Sequence, residues 1–424
     1  MLSQKILSLT YSKNKNMNFN KLTIKGWKQF HEIDLDFHEQ LTILTGSNGA
    51  GKTTILNLLA RHFGWNFTEL STPVKDKSSG IIKWFGGLFK SLRNVSSDTP
   101  DKIGEIYYSD SFKSDLIVHE SNSPLYQIQI THQQQLNGLN IVSHRDIFRY
   151  QQVGNIPTTK RTRKEACQIV TNNNLSYYTQ GNNYKQNVNY SIKETLLSWA
   201  ISGAGNEYIE ADLELKKNFD DFQKILKTLL PKSIGFRNIT IRNYEILLIT
   251  DSGEFMIDAV SGGIASIIDI AWQIYNFSDS SNRFIVLIDE IENHLHPTMQ
   301  RAILPDLIEA FPNVQFIIST HSPLVVGSVK DSNVYAFRYN ELNKVFSQRL
   351  DLVNKAKTAT EILNEVLGIP FTMPIWAEET LIELINKYKK IELTEESIDA
   401  MRMEFKSIGL ESLMPIAIKG VFEK

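Results

Sequence analysis

The stretch LTIL, Leu41 to Leu44, runs almost directly into GSNGAGKTT, Gly46 to Thr54, and then into the apolar-periodic ILNLLARHF. A short β-branched run, a glycine loop and a 3.6-residue periodicity read as strand, loop, helix. The loop fits G-x-x-x-x-G-K-[ST] with Gly46, Gly51, Lys52 and Thr53. Glycines let successive backbone N–H groups curl around phosphate oxygens, and the helix N-terminus adds its positive dipole end. Lys52 then reaches the β/γ-phosphates, and Thr53 offers a hydroxyl to Mg²⁺. Gly46, Ser47, Asn48, Gly49, Ala50, Gly51, Lys52, Thr53 and Thr54 are therefore the expected nucleotide contacts. A glycine-rich turn with an incidental lysine is the bland alternative, and the strand before and helix after weigh against it.

Upstream, KLTIKGWKQFHEIDLDF alternates like two strands about a polar turn near Gly26 to Gln29. Lys28 lies at that turn, where it could reach the phosphates or stand as an ordinary solvated lysine, the commoner fate.

A second apolar run, RFIVLIDE at Arg283 to Glu290, has the form of a buried parallel strand delivering two acids at its C-terminal end. Asp289 is expected to hold Mg²⁺ and Glu290 to orient or deprotonate the attacking water. A helix near Pro297 follows, then the buried run VQFIIS and Thr320, His321 and Ser322. At the end of a strand parallel to the Asp289 strand, His321 would face the γ-phosphate, making it a catalytic candidate beside Glu290 and Lys52. Ser261, Gly262 and Gly263 precede another apolar-periodic helix and form a second nest of backbone donors. Since one phosphate loop is already present, this nest points to the nucleotide of a neighbouring subunit, with a tight turn as the plain alternative.

Composition sets outer limits. With 424 residues, 42% hydrophobic and 22% charged, the chain can bury a sizeable core. Its 45 basic and 47 acidic residues give a net charge of -2, which supplies no global pull toward nucleic acid or an anionic membrane. The single cysteine, Cys167, excludes an intrachain disulfide and fits a reducing compartment, so the cytoplasm is the default location. The apolar runs FIVLIDEI and IASIIDIAWQIY are interrupted by acids, and no signal peptide or membrane span is expected. Residues 1–16 read as a disordered lead.

The motif order GSNGAGKT, VSGG, IVLIDE, STHSP resembles the ATP-binding-cassette type of ATPase head. More closely it is similar to the soluble branch that contains the SMC, RecF and overcoming-lysogenization-defect families. IVLIDEIENHLHP and STHSP look like the free-standing ATPases of that last branch found in anti-phage systems such as Septu and PARIS. The resemblance implies an α/β fold: an ABC-type head with a mixed sheet, phosphate loop and antiparallel β lobe, an inserted helical region and a C-terminal helical appendage. It implies ATP and Mg²⁺ as ligands, and a head-to-tail dimer sandwiching two ATP molecules. Ser261, Gly262 and Gly263 would then touch the γ-phosphate across the dimer, and His321 would be the switch histidine. The Glu292 to Pro297 stretch would link the two sites. SHRDIFRYQQVGNIPT resembles the segment carrying the Mg²⁺-contacting glutamine, here Gln151 or Gln152, although YQIQITHQQQ offers glutamines too. Ile264 departs from the family's LSGGQ or LSGGE, which puts the rate of hydrolysis and the strength of dimerisation in doubt; a slow or regulated ATPase is expected.

The expected division is 17–160 and 233–345 as the two halves of the head, 161–232 as a mostly helical insertion, and 355–424 as a helical C-terminal domain. Within the insertion we expect an Asn-rich loop near Gly181 to Asn189 and helices at about Ser191 to Ile201 and Ala211 to Leu230. The segment SIGFRNITIRNYEILLITDSGEFMI is expected to return to the main sheet as strands joined at Asp251 to Gly253. KRTRK, Lys160 to Lys164, reads as a solvated loop rather than a nucleic-acid contact. IIKWFGGLFKSL places Ile81, Phe85, Leu88 and Leu92 on one helical face. The tail shows three helical patterns, TATEILNEVLGI, EETLIELINKYKKI and EESIDAMRMEFKSIGL. No long heptad arms and no nuclease-type acid cluster are visible. The leading expectation is an oligomerising ATPase that senses a phage-derived trigger and controls a separate effector, a nuclease by analogy, with no membrane role and nucleic acid not favoured. A RecF-like DNA-binding repair ATPase is the alternative.

Overall fold

The computed structural model describes residues 17–75, 82–85, 101–119, 123–179, 187–278, 283–355, 357–363, 374–391 and 394–422. It divides into two compact units, Met1–Ala359 and Thr360–Lys424, so the C-terminal unit begins slightly later than the expected 355.

The first unit is organised by an 11-stranded sheet. Its strands are β1 (Phe19–Trp27), β2 (Phe30–Asp36), β3 (Leu41–Gly46), β4 (Asp101–Tyr108), β5 (Lys113–Val118), β6 (Ile128–Ile130), β7 (Gly138–Ile141), β8 (Phe284–Ile288), β9 (Val314–Thr320), β10 (Asn333–Tyr339) and β11 (Val345–Arg349). The order is β6-β5-β4-β1-β2-β11-β10-β3-β9-β8-β7. One half, β10-β3-β9-β8-β7, is parallel. The strands β3, β8 and β9 are buried at every residue, which is why LTIL, FIVLI and VQFIIS read as continuous apolar runs rather than alternating ones. In the other half β1 pairs antiparallel with β2 and with β4, while β2 runs parallel to β11, and the alternation of KLTIKGW and FHEIDLD puts Leu22, Ile24, Ile33 and Leu35 into the core. The hairpin between β1 and β2 closes at Trp27↔Phe30 through a turn at Lys28 and Gln29; Lys28, and Gly26 near the end of β1, are at positive φ.

Among the described residues, six helices of nine residues or more accompany this sheet: α1 (Lys52–Ala60), α2 (Arg163–Thr179), α3 (Val188–Ala204), α4 (Leu213–Leu229), α5 (Gly262–Phe277) and α6 (Pro297–Ala310). Helix α5 is buried nearly all round, as its almost uniformly apolar sequence requires. Helix α2 was not expected. RKEACQIVTNNNLSYYT is rich in poor helix formers, but Ala166, Cys167, Val170 and Asn174 form a buried stripe packed against α5, and tertiary contact overrides propensity. Helix α3 starts at Val188, capped by the Asn187 side chain, inside what reads as the end of an Asn-rich loop; 180–186 lie outside the described residues.

Two further expectations are corrected. The strands Asn238–Arg242, Glu245–Thr250 and Gly253–Met256 do not rejoin the main sheet but form a separate three-stranded antiparallel sheet. Alternation alone cannot tell which sheet a hairpin will join. Ile82–Phe85 is a strand paired with Thr72–Lys75, not part of a helix; Ile81, Leu88 and Leu92 lie outside the described residues.

The second unit holds α7 (Ile375–Tyr388), α8 (Glu395–Ser407) and α9 (Met414–Phe422) around its own core of Leu381, Leu384, Met401, Phe405 and Met414. Thr394 and Ser397 close a reciprocal capping box at the start of α8. TATEILNEVLGI contains the one-turn helix Ala359–Glu361, and its second half, 364–369, lies outside the described residues. Among the described residues, no helix is long and apolar enough to cross a membrane.

Candidate functional site

Parallel pairing aligns the C-terminal ends of β3, β9, β8 and β7. Thr45 stands opposite Thr320, Ile288 opposite Ile318, and Ile141 opposite Ile288. The glycine loop, Asp289, Glu290 and His321 are the residues that follow these ends, so they converge at one edge of the sheet.

The loop is fixed by close packing. Gly46, at φ 141, lies so near Phe337 that a Cβ would approach its carbonyl oxygen to 2.6 Å, and one on Gly51, at φ 92, would meet the Phe30 ring at 2.4 Å. Lys52 is buried, and its ammonium donates to the carbonyls of Gly46 at 2.9 Å and Ser47 at 3.0 Å. Burial pulls its pKa down from 10.5 to about 8, against the opposing pull of Asp289 and Glu290.

The Asp289 carboxylate is also buried, which pushes its pKa up, and it accepts hydrogen bonds from Ser319 Oγ and from Thr53 Oγ1 at 2.9 Å. Glu290 sits at φ 46, a left-handed conformation unusual for this residue type. Its N–H donates to Ser319 Oγ at 2.8 Å, and one carboxylate oxygen accepts from Asn293 Nδ2 at 2.8 Å. The other lies 3.9 Å from His321 Nε2. Burial, then the charge of Lys52, lowers the His321 pKa. Glu292 orders this corner, accepting from Thr320 Oγ1 at 2.7 Å and from the His321 N–H.

Arg145 gave no sequence signal beyond its place just after β7. It is buried; its guanidinium donates to the carbonyls of Glu290 at 2.9 Å, Asp289 at 3.3 Å, Ile291 at 3.3 Å and Asn293 at 3.4 Å, while Nε donates to Ser266 Oγ of α5 at 2.7 Å. One side chain thus holds the strained turn after β8 against α5.

Ser261 is the N-cap of α5 and is exposed; it makes no side-chain cap bond. Gly262 and Gly263 pack under His294, where a Cβ on Gly263 would approach the His294 carbonyl to 2.8 Å. The nest therefore lies against the Glu292–Pro297 loop of its own chain, and no hydrogen bond joins it to Lys52 or Asp289 among the described residues.

Lys28 pairs with Glu69 and lies over the Trp27 ring at 5.2 Å, on the turn whose Gln29 packs against Gly51 of the phosphate loop. Gln151 and Gln152 are exposed, and among the described residues neither bonds Thr53 or Asp289; the Gln151 carbonyl is held by Lys193 instead. The basic run is in part the solvated loop expected, with Lys160 and Lys164 exposed. Lys160 pairs with Glu214 and Asp212, Arg161 with Glu194, and Arg163 bonds the carbonyls of Tyr275 and Ser278.

A lysine-bearing phosphate loop and an Asp-Glu pair at the end of a buried strand, both on the parallel half of the sheet, define a nucleoside-triphosphate hydrolase. Residues 17–326 match the AAA ATPase domain family, and the chain belongs to that family and is an ATPase. It is 25% identical over 385 residues to the Septu protein PtuA of Bacillus thuringiensis, covering 87% of this chain and 88% of that protein. It is likewise 25% identical over 441 residues to the retron Vc95 probable ATPase of Vibrio cholerae serotype O1 biovar El Tor, covering 89% and 84%. Among solved structures, an SMC head bound to the C-winged helix domain of ScpA covers 80% of this chain and 99% of its own, at 16% identity and a TM-score of 0.44.

The lowered pKa of Lys52 carries a pH prediction. Between pH 8 and 10.5 the unfolded chain binds a proton on Lys52 that the nucleotide-free folded protein does not, so folding stability gains with rising pH in that window. Binding a polyanion favours the charged lysine, so ATP affinity should run the opposite way. Calorimetric titration should show binding weakening above pH 8 by up to about tenfold per pH unit, accompanied by proton uptake. Affinity unchanged between pH 7 and 9.5 would refute it.

Proposed function

We propose that this ATPase is a regulator in bacterial anti-phage defence: two copies close head to tail on ATP, and closure holds or releases a separate effector protein. The defence role is supported by near full-length likeness to a Septu protein and a retron ATPase. The dimer is supported by one observation above the others, the exposed Ser261 nest that is not joined to its own chain's Lys52. That the effector is a nuclease rests on the resemblance alone. The setting is the cytoplasm.

In this reading the loop amides and Lys52 bind the β/γ-phosphates, and Glu290, steadied by Asn293, accepts the proton of the attacking water. His321 offers a ring nitrogen toward the γ-phosphate. The oxygen-only pair of Thr53 hydroxyl and buried Asp289 carboxylate suits Mg²⁺, which prefers few protein ligands plus substrate phosphates. When bound, Mg²⁺ would neutralise charge on the phosphates.

The test is to capture Glu290→Gln protein with ATP from its native cells. A stoichiometric protein partner without nucleic acid is the expected result. Salt-sensitive DNA with no protein partner would overturn the reading in favour of a repair-type ATPase. The internal pairing of Lys160, Arg161 and Arg163 leaves that alternative without its best candidate contact.

A further inference from the structure

Lys193, on α3, is fully buried, yet it lies outside the candidate ATP site. Its ammonium donates to Asp258 Oδ2 at 2.6 Å, to Glu245 Oε2 at 2.9 Å and to the Gln151 carbonyl at 2.9 Å, which uses all three of its protons. The other Asp258 oxygen accepts from Asn189, one turn earlier on the same helix, and Glu245 also accepts from the Tyr150 hydroxyl at 3.2 Å.

The four elements tied at this point are α3, the middle strand of the three-stranded sheet, the loop after β7, and the one-turn helix Ile257–Ala259 that leads into Ser261. The loop after β7 carries Arg145 near its start, which holds the turn bearing Glu290 and also bonds Ser266 of α5. Further along the same loop, the Gln151 carbonyl is held by Lys193. The chain around Ser261 is therefore fastened on both sides: Asp258 before it to Lys193, and Ser266 after it to Arg145. Ser261 itself is left exposed and uncapped between the two.

Burying an ion pair costs about as much as it returns, and well-packed apolar side chains in its place are commonly as stable or more so. What the pair adds is geometry, because any other register would strand a charge in the core.

We propose that Lys193 is a positioning residue that sets Ser261 for the nucleotide of a second copy and couples it, through the Arg145–Gln151 segment, to the turn bearing Glu290. This rests on the two-copy reading above. Lys193 touches no nucleotide, so its loss should leave the affinity of a single head for ATP alone.

The test replaces Lys193 together with its more buried partner, Lys193→Met with Asp258→Leu, since Lys193→Met alone would leave the buried Asp258 carboxylate unpaired and risks unfolding, whereas Glu245 is partly exposed and keeps its bond from Tyr150. Both changes are made in full-length Glu290→Gln protein. A mant-labelled ATP with Mg²⁺ reads affinity at protein concentrations below dimerisation, and light scattering reads ATP-dependent mass. Affinity within about twofold of the Glu290→Gln parent, with dimerisation weakened about tenfold or more, is the expected result. A dimer as tight as the parent's, or a parallel loss of ATP affinity, would overturn the role of Lys193. A parent that binds ATP and stays monomeric would instead overturn the two-copy reading, and this inference with it.

Discussion

Glu290→Gln should bind ATP as tightly as the wild type and turn it over about 10²- to 10⁴-fold more slowly, the range that a positioned general base contributes. Glutamine keeps the shape of the side chain and can still meet Asn293, whose Nδ2 lies 2.8 Å from the carboxylate. It cannot take a proton. The φ of 46 at this residue belongs to the backbone and is held by Ser319 and Arg145, so the substitution should not release the turn. Phosphate release under saturating ATP measures the effect, and wild-type turnover would remove Glu290 from the chemistry. Asp289→Asn should behave differently, weakening the Mg²⁺-dependent part of binding, because its carboxylate is the one bonded to Thr53.

Arg145→Met should cost about 3–5 kcal/mol of stability, the scale on which removing one partner of a buried charged network is felt. The guanidinium is buried against the carbonyls of Asp289, Glu290, Ile291 and Asn293, with the Asp269 charge nearby, and methionine leaves all of these unanswered. Ser266→Ala removes a single contact of the same group and should cost about 1–3 kcal/mol. Denaturant titration separates the two. Any folded Arg145→Met protein should also lose turnover more than ATP affinity, since the turn it holds carries Glu290 while Lys52 is held by its own loop. An unfolding midpoint and turnover equal to wild type would contradict the assignment.

The sequence made the glycine loop and the parallel core legible for a physical reason. Strands buried on both faces must be continuous apolar runs, and a phosphate loop needs glycines at positive φ, so LTIL, FIVLI, VQFIIS, Gly46 and Gly51 carry their structure in their composition. The acids ending FIVLI could be read for the same reason. Helix α2 could not, because its stability comes from packing on α5 and not from its own residues. Nor could the separate sheet of Asn238–Met256, since β-alternation specifies a face but not a neighbour. Arg145 and Lys193 went unseen as a class: each is a lone cation whose partners are backbone carbonyls or acids distant in sequence, and no local pattern marks it.

The central claim is that ATP is the joint between two copies, with the Lys52 loop on one side and the Ser261 nest on the other. It is tested most directly by light scattering of Glu290→Gln protein with ATP and Mg²⁺, with ADP, and without nucleotide. The account predicts a mass that doubles with ATP alone and returns to monomer when Ser261→Arg is added, while ATP binding persists. A mass that ignores ATP, or a dimer indifferent to Ser261→Arg, would contradict it.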